Sequence, residues 1–169
     1  MRLIILIVVI SLTIVLIVNR NKVQHLGVYG YPGIFLISVL ANATIIIPIP
    51  GIILTSAMGA IFNPFLVAFS AGAGSTVGEL TGYLAGVGGQ AVVGDKAWYK
   101  KTRGWMTKYG DFTIFILSLI PNPLFDLAGM IAGSMKISIW RFMFWCFFGK
   151  FLKMLLFAYT GAKLLLLFS

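Results

Sequence analysis

Acids, cysteine and histidine are nearly missing from this chain of 169 residues. Its one cysteine, Cys146, cannot close an internal disulfide, and with the single histidine, His25, it supplies too few ligands for a zinc or haem centre. His25 lies in a polar linker without a visible partner and reads as an ordinary surface residue. No Ser-His-Asp set, H-x-x-x-H spacing or glycine-rich nucleotide loop is present, and serines in apolar arms have no base to activate them. These absences remove metal, haem and Cys/His chemistry from consideration. The chain is expected not to be an enzyme and to use no cofactor.

What remains is strongly apolar and basic. Hydrophobic residues make up 60% of the chain and charged ones 10%, with a mean hydropathy of +1.02. Soluble domains run about 45–50% apolar, so this composition describes a single integral membrane domain. Thirteen Lys and Arg oppose four acids, for a net charge of +9. In a membrane protein such an excess meets anionic headgroups and sets topology. No nucleic-acid motif accompanies it, and no nucleic-acid partner is expected.

Leu3–Val18 is continuously apolar behind Arg2, and Asn19-Arg20-Asn21-Lys22 follows without a small-x-small cleavage site. Residues 1–18 therefore read as an uncleaved transmembrane anchor, slightly short at about 1.5 Å per residue for a bilayer core of about 30 Å.

The sharpest motif occurs twice. Ile47-Pro48-Ile49-Pro50 returns as Ile120-Pro121-Asn122-Pro123. Proline removes a backbone donor and breaks a helix, and a break in hydrocarbon needs protein or a wet cavity to satisfy the freed carbonyls. The apolar arms on either side of each break are too short to span, since a crossing helix needs about 20 residues. Residues 33–62 and 112–134 are thus expected to be re-entrant hairpins. A long helix follows each, over 63–93 with Asn63 as cap and Pro64 in the first turn, and over 138–168 with Ser138 as cap. Asn42-Ala43-Thr44 has the form of a glycosylation sequon, but its place inside an apolar arm argues against use.

Between the halves, residues 94–111 carry Lys96, Lys100, Lys101, Arg103 and Lys108 among Trp98, Tyr99, Trp105 and Tyr109. That mixture suits an interfacial loop on the headgroups, placed in the cytoplasm by its positive charge. The expected fold is an all-α integral membrane protein. It comprises the N-terminal anchor and an inverted repeat of two hairpins, each with its long helix, related by a pseudo-two-fold axis in the membrane plane. Gly59 matches Gly133 and Gly74 matches Gly149 in the two halves.

Two acids, Glu79 and Asp126, fall at membrane depth, where a charge costs about 2.5–3.5 kcal/mol and calls for a partner or a function. Glu79, Asp126, Asn122 and Tyr83 are the expected polar gate beside the breaks at Pro48, Pro50, Pro121 and Pro123. Two readings of the cations stay open. Lys150 or Lys153 pairs with Glu79 between the long helices, or Arg141, Lys150 and Lys153 attract a lipid phosphate. Gly74, Gly78, Gly82 and Gly86 form a bare stripe that suits close helix packing, a sliding surface beside the path, or a homo-oligomer contact.

The string SLIPNPLFDLAG, Ser118–Gly129, and the string GSTVGELTGY, Gly74–Tyr83, resemble the DedA superfamily. This family is also called the VTT or SNARE-associated Golgi protein family, and the likeness is to its branch of eukaryotic vacuole membrane proteins of autophagy. The resemblance covers roughly residues 45–160. It implies opposed re-entrant hairpins and lipid translocation, either phospholipid scrambling or the return of undecaprenyl phosphate in bacterial members. It carries roles onto Glu79, Pro121, Asn122, Pro123 and Asp126. Many bacterial members have a Glu after the first Pro-x-Pro, where Gly51-Ile52-Ile53 stands here, and arginines near the second, where Asn122 and Asp126 stand. Those differences favour an energy-independent scramblase working on membrane lipids. The alternatives are a proton-coupled transporter of polyprenyl phosphate or another small anion, and a membrane scaffold whose loop binds partners. A prokaryotic plasma membrane is the expected location.

Overall fold

The structure is a computed structural model that describes residues 27–43, 51–88, 97–121 and 125–167. The described residues form α1 (Gly27–Ala43), α2 (Gly51–Ile61), α3 (Pro64–Val87), α4 (Ala97–Tyr109), α5 (Asp111–Leu119), α6 (Phe125–Ser134) and α7 (Ile139–Leu167), with no strand among them. The expected anchor over 1–18, the breaks at Pro48, Pro50 and Pro123, and Asn122 lie outside the described residues.

Local chemistry accounts for the helix limits. Asn63 Oδ1 accepts from the amides of Phe65 and Leu66 at 3.0 and 3.3 Å, and Pro64 occupies the first turn of α3. The helix stops at Val87, short of Val93, because Gly88 forms the C-cap within a glycine-rich run. Its length is therefore about 36 Å rather than 45 Å. α1 runs through Pro32 and starts at Gly27, ahead of Gly33. The stretch expected as an interfacial loop contains a regular helix, α4. It turns Tyr99, Thr102 and Met106 inward and leaves Lys100, Lys101, Arg103 and Lys108 outside. Gly110, at φ +58°, makes the turn into α5 that a residue with a side chain rarely adopts.

α3 and α7 cross at the centre, and the short helices are shared between them. α1 and α6 pack on α3, while α2 and α5 pack on α7. Each long helix thus carries the first arm of its own half and the second arm of the other. Glycines mark these seats in pairs. Gly74 of α3 meets Phe35 and Ser38 of α1, as Gly149 of α7 meets Phe115 and Ser118 of α5. Gly86 of α3 meets Met130 of α6, as Gly161 of α7 meets Ser56 of α2. Gly59 of α2 lies on the Ala158 backbone, as Gly133 of α6 lies on those of Tyr83 and Val87.

The interior is apolar but also encloses polar groups, and large apolar side chains cover much of the outside. Ser75, Thr76, Glu79, Ser118 and Lys150 are buried, while Trp140, Phe144, Phe148, Leu152 and Leu156 face outward along α7 at four-residue spacing. An apolar face of that extent is compatible with lipid and costly in water. Among the described residues, α7 contains one stretch, Ile139–Leu164, long and apolar enough to cross a membrane.

A side chain at Gly161 would collide with the Ser56 backbone, whereas Gly33 has open space around it. Gly161→Leu is expected to destabilise the protein by about 1–3 kcal/mol through overpacking. Gly33→Ala should be neutral or stabilise by about 0.5–1 kcal/mol through helix propensity. Thermal unfolding in detergent micelles reads both, and equal shifts would remove close packing as the cause.

Candidate functional site

α1, α3, α6 and α7 converge on one ammonium group. Lys150 of α7 donates to Glu79 Oε1 at 2.6 Å, to Asn42 Oδ1 at 2.8 Å and to the Ser75 carbonyl at 3.2 Å. Those acceptors occupy the three N–H groups an ammonium has. The ring centre of Phe125, on α6, lies 5.1 Å from Nζ and supplies a cation–π contact. Glu79 and Lys150 side chains are each 2% exposed.

The sequence assembles this site by spacing and by small residues. Ser75 and Glu79 are four residues apart on α3, so they stand one above the other on one face. Gly74 and Gly78 lie against α1, with Val39 and Asn42 pressed onto Gly78, and this closeness brings the Asn42 amide to Lys150. Asn42 Nδ2 donates to Ser75 Oγ at 3.1 Å and to the Ser38 carbonyl at 2.9 Å, which turns its oxygen toward the ammonium. Neither Asn42 nor Ser75 was singled out as a site residue from the sequence. The one available signal was an amide inside an apolar arm, and its sequon context pointed elsewhere.

Lys150 pairs with Glu79, as one of the two readings of the cations has it, and the three cations expected to attract a phosphate stand at different places along α7. Arg141 and Lys153 stand twelve residues apart on α7, about 18 Å along its axis. Arg141 is 65% exposed, and its Nε lies 2.7 Å from Asp111 Oδ2 at the start of α5. Lys150 is enclosed, so it presents no charge to a headgroup in this state. Lys153 is half-buried one turn further on. Tyr83, expected at the gate, donates its hydroxyl to the Ile137 carbonyl at 2.5 Å and stacks on Phe142 with ring centres 5.1 Å apart. It therefore anchors the connection between α6 and α7. In that connection Ile137 N–H reaches the Ala132 carbonyl at 3.1 Å, and Lys136 holds φ +54°. Gly82 is buried, and Gly86 seats α6. Pro121 is exposed after α5. Asp126 belongs to the first turn of α6, and its side chain lies outside the described residues.

An apolar outer face, two long helices with short arms shared between them, and a buried ion pair at their junction define a helical membrane protein. Residues 49–163 match the VTT domain model, and the chain belongs to that family. Part of the chain is similar to "Vacuole membrane protein KMS1" of Arabidopsis thaliana, 46% identical over 39 residues, which are 23% of this chain and 9% of that protein. "Vacuole membrane protein KMS2" of the same plant is 38% identical over 52 residues, 28% of this chain and 12% of the relative. The matched region thus spans roughly a tenth of the length of these curated relatives. Both relatives are plant proteins named for a vacuole membrane, so the expected prokaryotic plasma membrane gains no support from them. No solved structure matches the chain.

Removing one partner of a buried ion pair leaves the other charge stranded, at a cost of about 3–5 kcal/mol. Glu79→Gln and Lys150→Gln should each destabilise on that scale, while the double variant should lose much less than their sum. Unfolding midpoints in detergent, converted to a double-mutant cycle, measure this coupling, and simple additivity would refute it.

Proposed function

We propose that this protein moves phospholipids between leaflets without an energy source, through an inverted repeat of two re-entrant hairpins. The carrying observation is the reciprocal seating of the short helices. α2, α5 and α6 contain 11, 9 and 10 residues. At about 1.5 Å per residue they reach roughly 14–17 Å, half of a bilayer core of about 30 Å. Helices of that length packed on α3 and α7 suit hairpins that enter and leave on one side, and matched glycine seats suit two halves of opposite orientation. Where such hairpins approach each other, the hydrocarbon barrier is thin.

The Glu79–Lys150 pair then acts as the polar latch. An arriving phosphate offers the ammonium an acceptor equivalent to the carboxylate, and charge-assisted bonds to Lys150 and the Asn42–Ser75 pair offset part of the headgroup's desolvation. Acyl chains remain outside, along the aromatic face of α7. Asp126, in the first turn of α6, supplies a further polar group near the second break. The α4 segment lies on the cytoplasmic headgroups in this reading, as its positive charge directs.

A second reading, proton-coupled transport of a small or lipid-linked phosphate, draws on the buried Glu79 carboxylate, since intramembrane acids serve proton relays.

Liposomes reconstituted with the purified protein and fluorescent phospholipids, without ATP or a gradient, separate the two. Loss of signal well beyond half on adding a membrane-impermeant quencher is expected, with slower loss in Glu79→Gln/Lys150→Gln. Loss that stops at the outer leaflet would sink the scramblase reading, and a rate that appears only under an imposed pH gradient would establish the second.

A further inference from the structure

A separate apolar groove lies between α4 and α5. Its volume is about 290 Å³, and Trp105, Tyr109, Phe112, Thr113, Ile116 and Leu117 line it. It shares no residue with the Glu79–Lys150 network. The Thr113 hydroxyl donates to the Trp105 carbonyl at 3.0 Å and ties the two helices together, so the walls hold one another in place. Trp105, Tyr109 and Phe112 are exposed at its mouth, whereas Thr113 and Leu117 are buried at its base.

Two cations stand over the aromatic wall. Lys101 Nζ lies 5.0 Å from the centre of the Trp105 ring, and Lys108 Nζ lies 5.0 Å from that of Tyr109. No acid occurs within α4, and the acid that opens α5, Asp111, is engaged by Arg141 at 2.7 Å. The rim of the groove is therefore positive and its interior apolar.

We propose that this groove binds one anionic phospholipid, with an acyl segment between α4 and α5 and the phosphate held by Lys101 and Lys108. Charge complementarity and shape select this occupant together. A free phosphate gains nothing from the Ile116 and Leu117 lining, and a lipid without net charge gains little from the two ammonium groups. The volume sits at the lower edge of small-ligand pockets, enough for part of a chain and too small for a whole lipid. Trp and Tyr at the mouth place the site at headgroup depth, where such rings concentrate. A lipid seated there pins α4 to the bilayer surface.

Native mass spectrometry of the full chain in detergent, with phosphatidylglycerol and phosphatidylcholine added, tests the site. One phosphatidylglycerol per chain should be retained in preference to phosphatidylcholine. Lys101→Gln/Lys108→Gln should reduce that preference about tenfold or more, on the scale of two lost headgroup cations. Ile116→Trp, which fills the groove and leaves every charge in place, should also reduce retention while the melting temperature holds. Lys100→Gln/Arg103→Gln removes the same charge from α4 away from the two ring-bound cations and should leave retention intact. Equal losses from the Lys101/Lys108 and the Lys100/Arg103 variants would show diffuse attraction and overturn the site, as would full retention in Ile116→Trp. Displacement of the lipid by millimolar inorganic phosphate would overturn it in favour of a free-anion site. Binding is read without reference to lipid flip, so a protein that scrambles nothing still gives a decisive result.

Discussion

Lys150 is buried, and much of the architecture follows from that. An ammonium group in a membrane interior must find its acceptors within the protein. Glu79 supplies charge, Asn42 and the Ser75 carbonyl supply the remaining bonds, and Phe125 supplies a π face. These groups come from three helices, so satisfying one atom of α7 fixes the relative positions of α1, α3, α6 and α7. The glycines of α3 serve the same end. Gly74 and Gly78 let α1 approach until an amide side chain can reach across. Close packing and electrostatics are here one constraint expressed twice.

The same constraint explains which features could be read in advance. The Asn63 cap, the Pro64 first turn and the general order of short and long helices follow from local rules of backbone chemistry, and the sequence carries them openly. Glu79 was conspicuous because acids are so scarce. Its partner was not, because Lys150 and Lys153 lie three residues apart on one helix, and the choice depends on the rotation of α7 against α3. Ser75 gives no local sign and Asn42 only that of an amide inside an apolar arm, since their role exists only once α1 has docked. The groove between α4 and α5 was hidden for a similar reason. A basic, aromatic stretch announces contact with headgroups, but whether it coils into a helix and leaves a space beside the next one is a matter of tertiary packing.

Membership of the VTT domain family agrees with this economy. The family model spans residues 49–163, from the end of the first break to near the end of α7, and so includes the crossed pair and three of the arms seated on it. Asn42, which completes the coordination of Lys150, lies just ahead of that region. The short stretches shared with the plant vacuole membrane proteins are a small part of those much longer chains, and the chemistry of the junction is the natural level at which to compare them.

Reciprocal seating also imposes an order on biosynthesis. α2 leaves the ribosome long before α7, against which Gly59 and Ser56 must settle, and the residues in contact, Ser56 and Gly161, are 105 positions apart in the chain. α3 meanwhile waits for α6. The first half therefore enters the membrane with an arm that has no permanent seat and with Glu79 lacking its counter-ion until Lys150 arrives. Non-local contacts of this kind slow folding and leave exposed intermediates. A nascent chain of this shape needs shelter at the insertion site, and an arrest between α3 and α7 would leave a half-molecule without the ammonium of Lys150 for quality control to recognise.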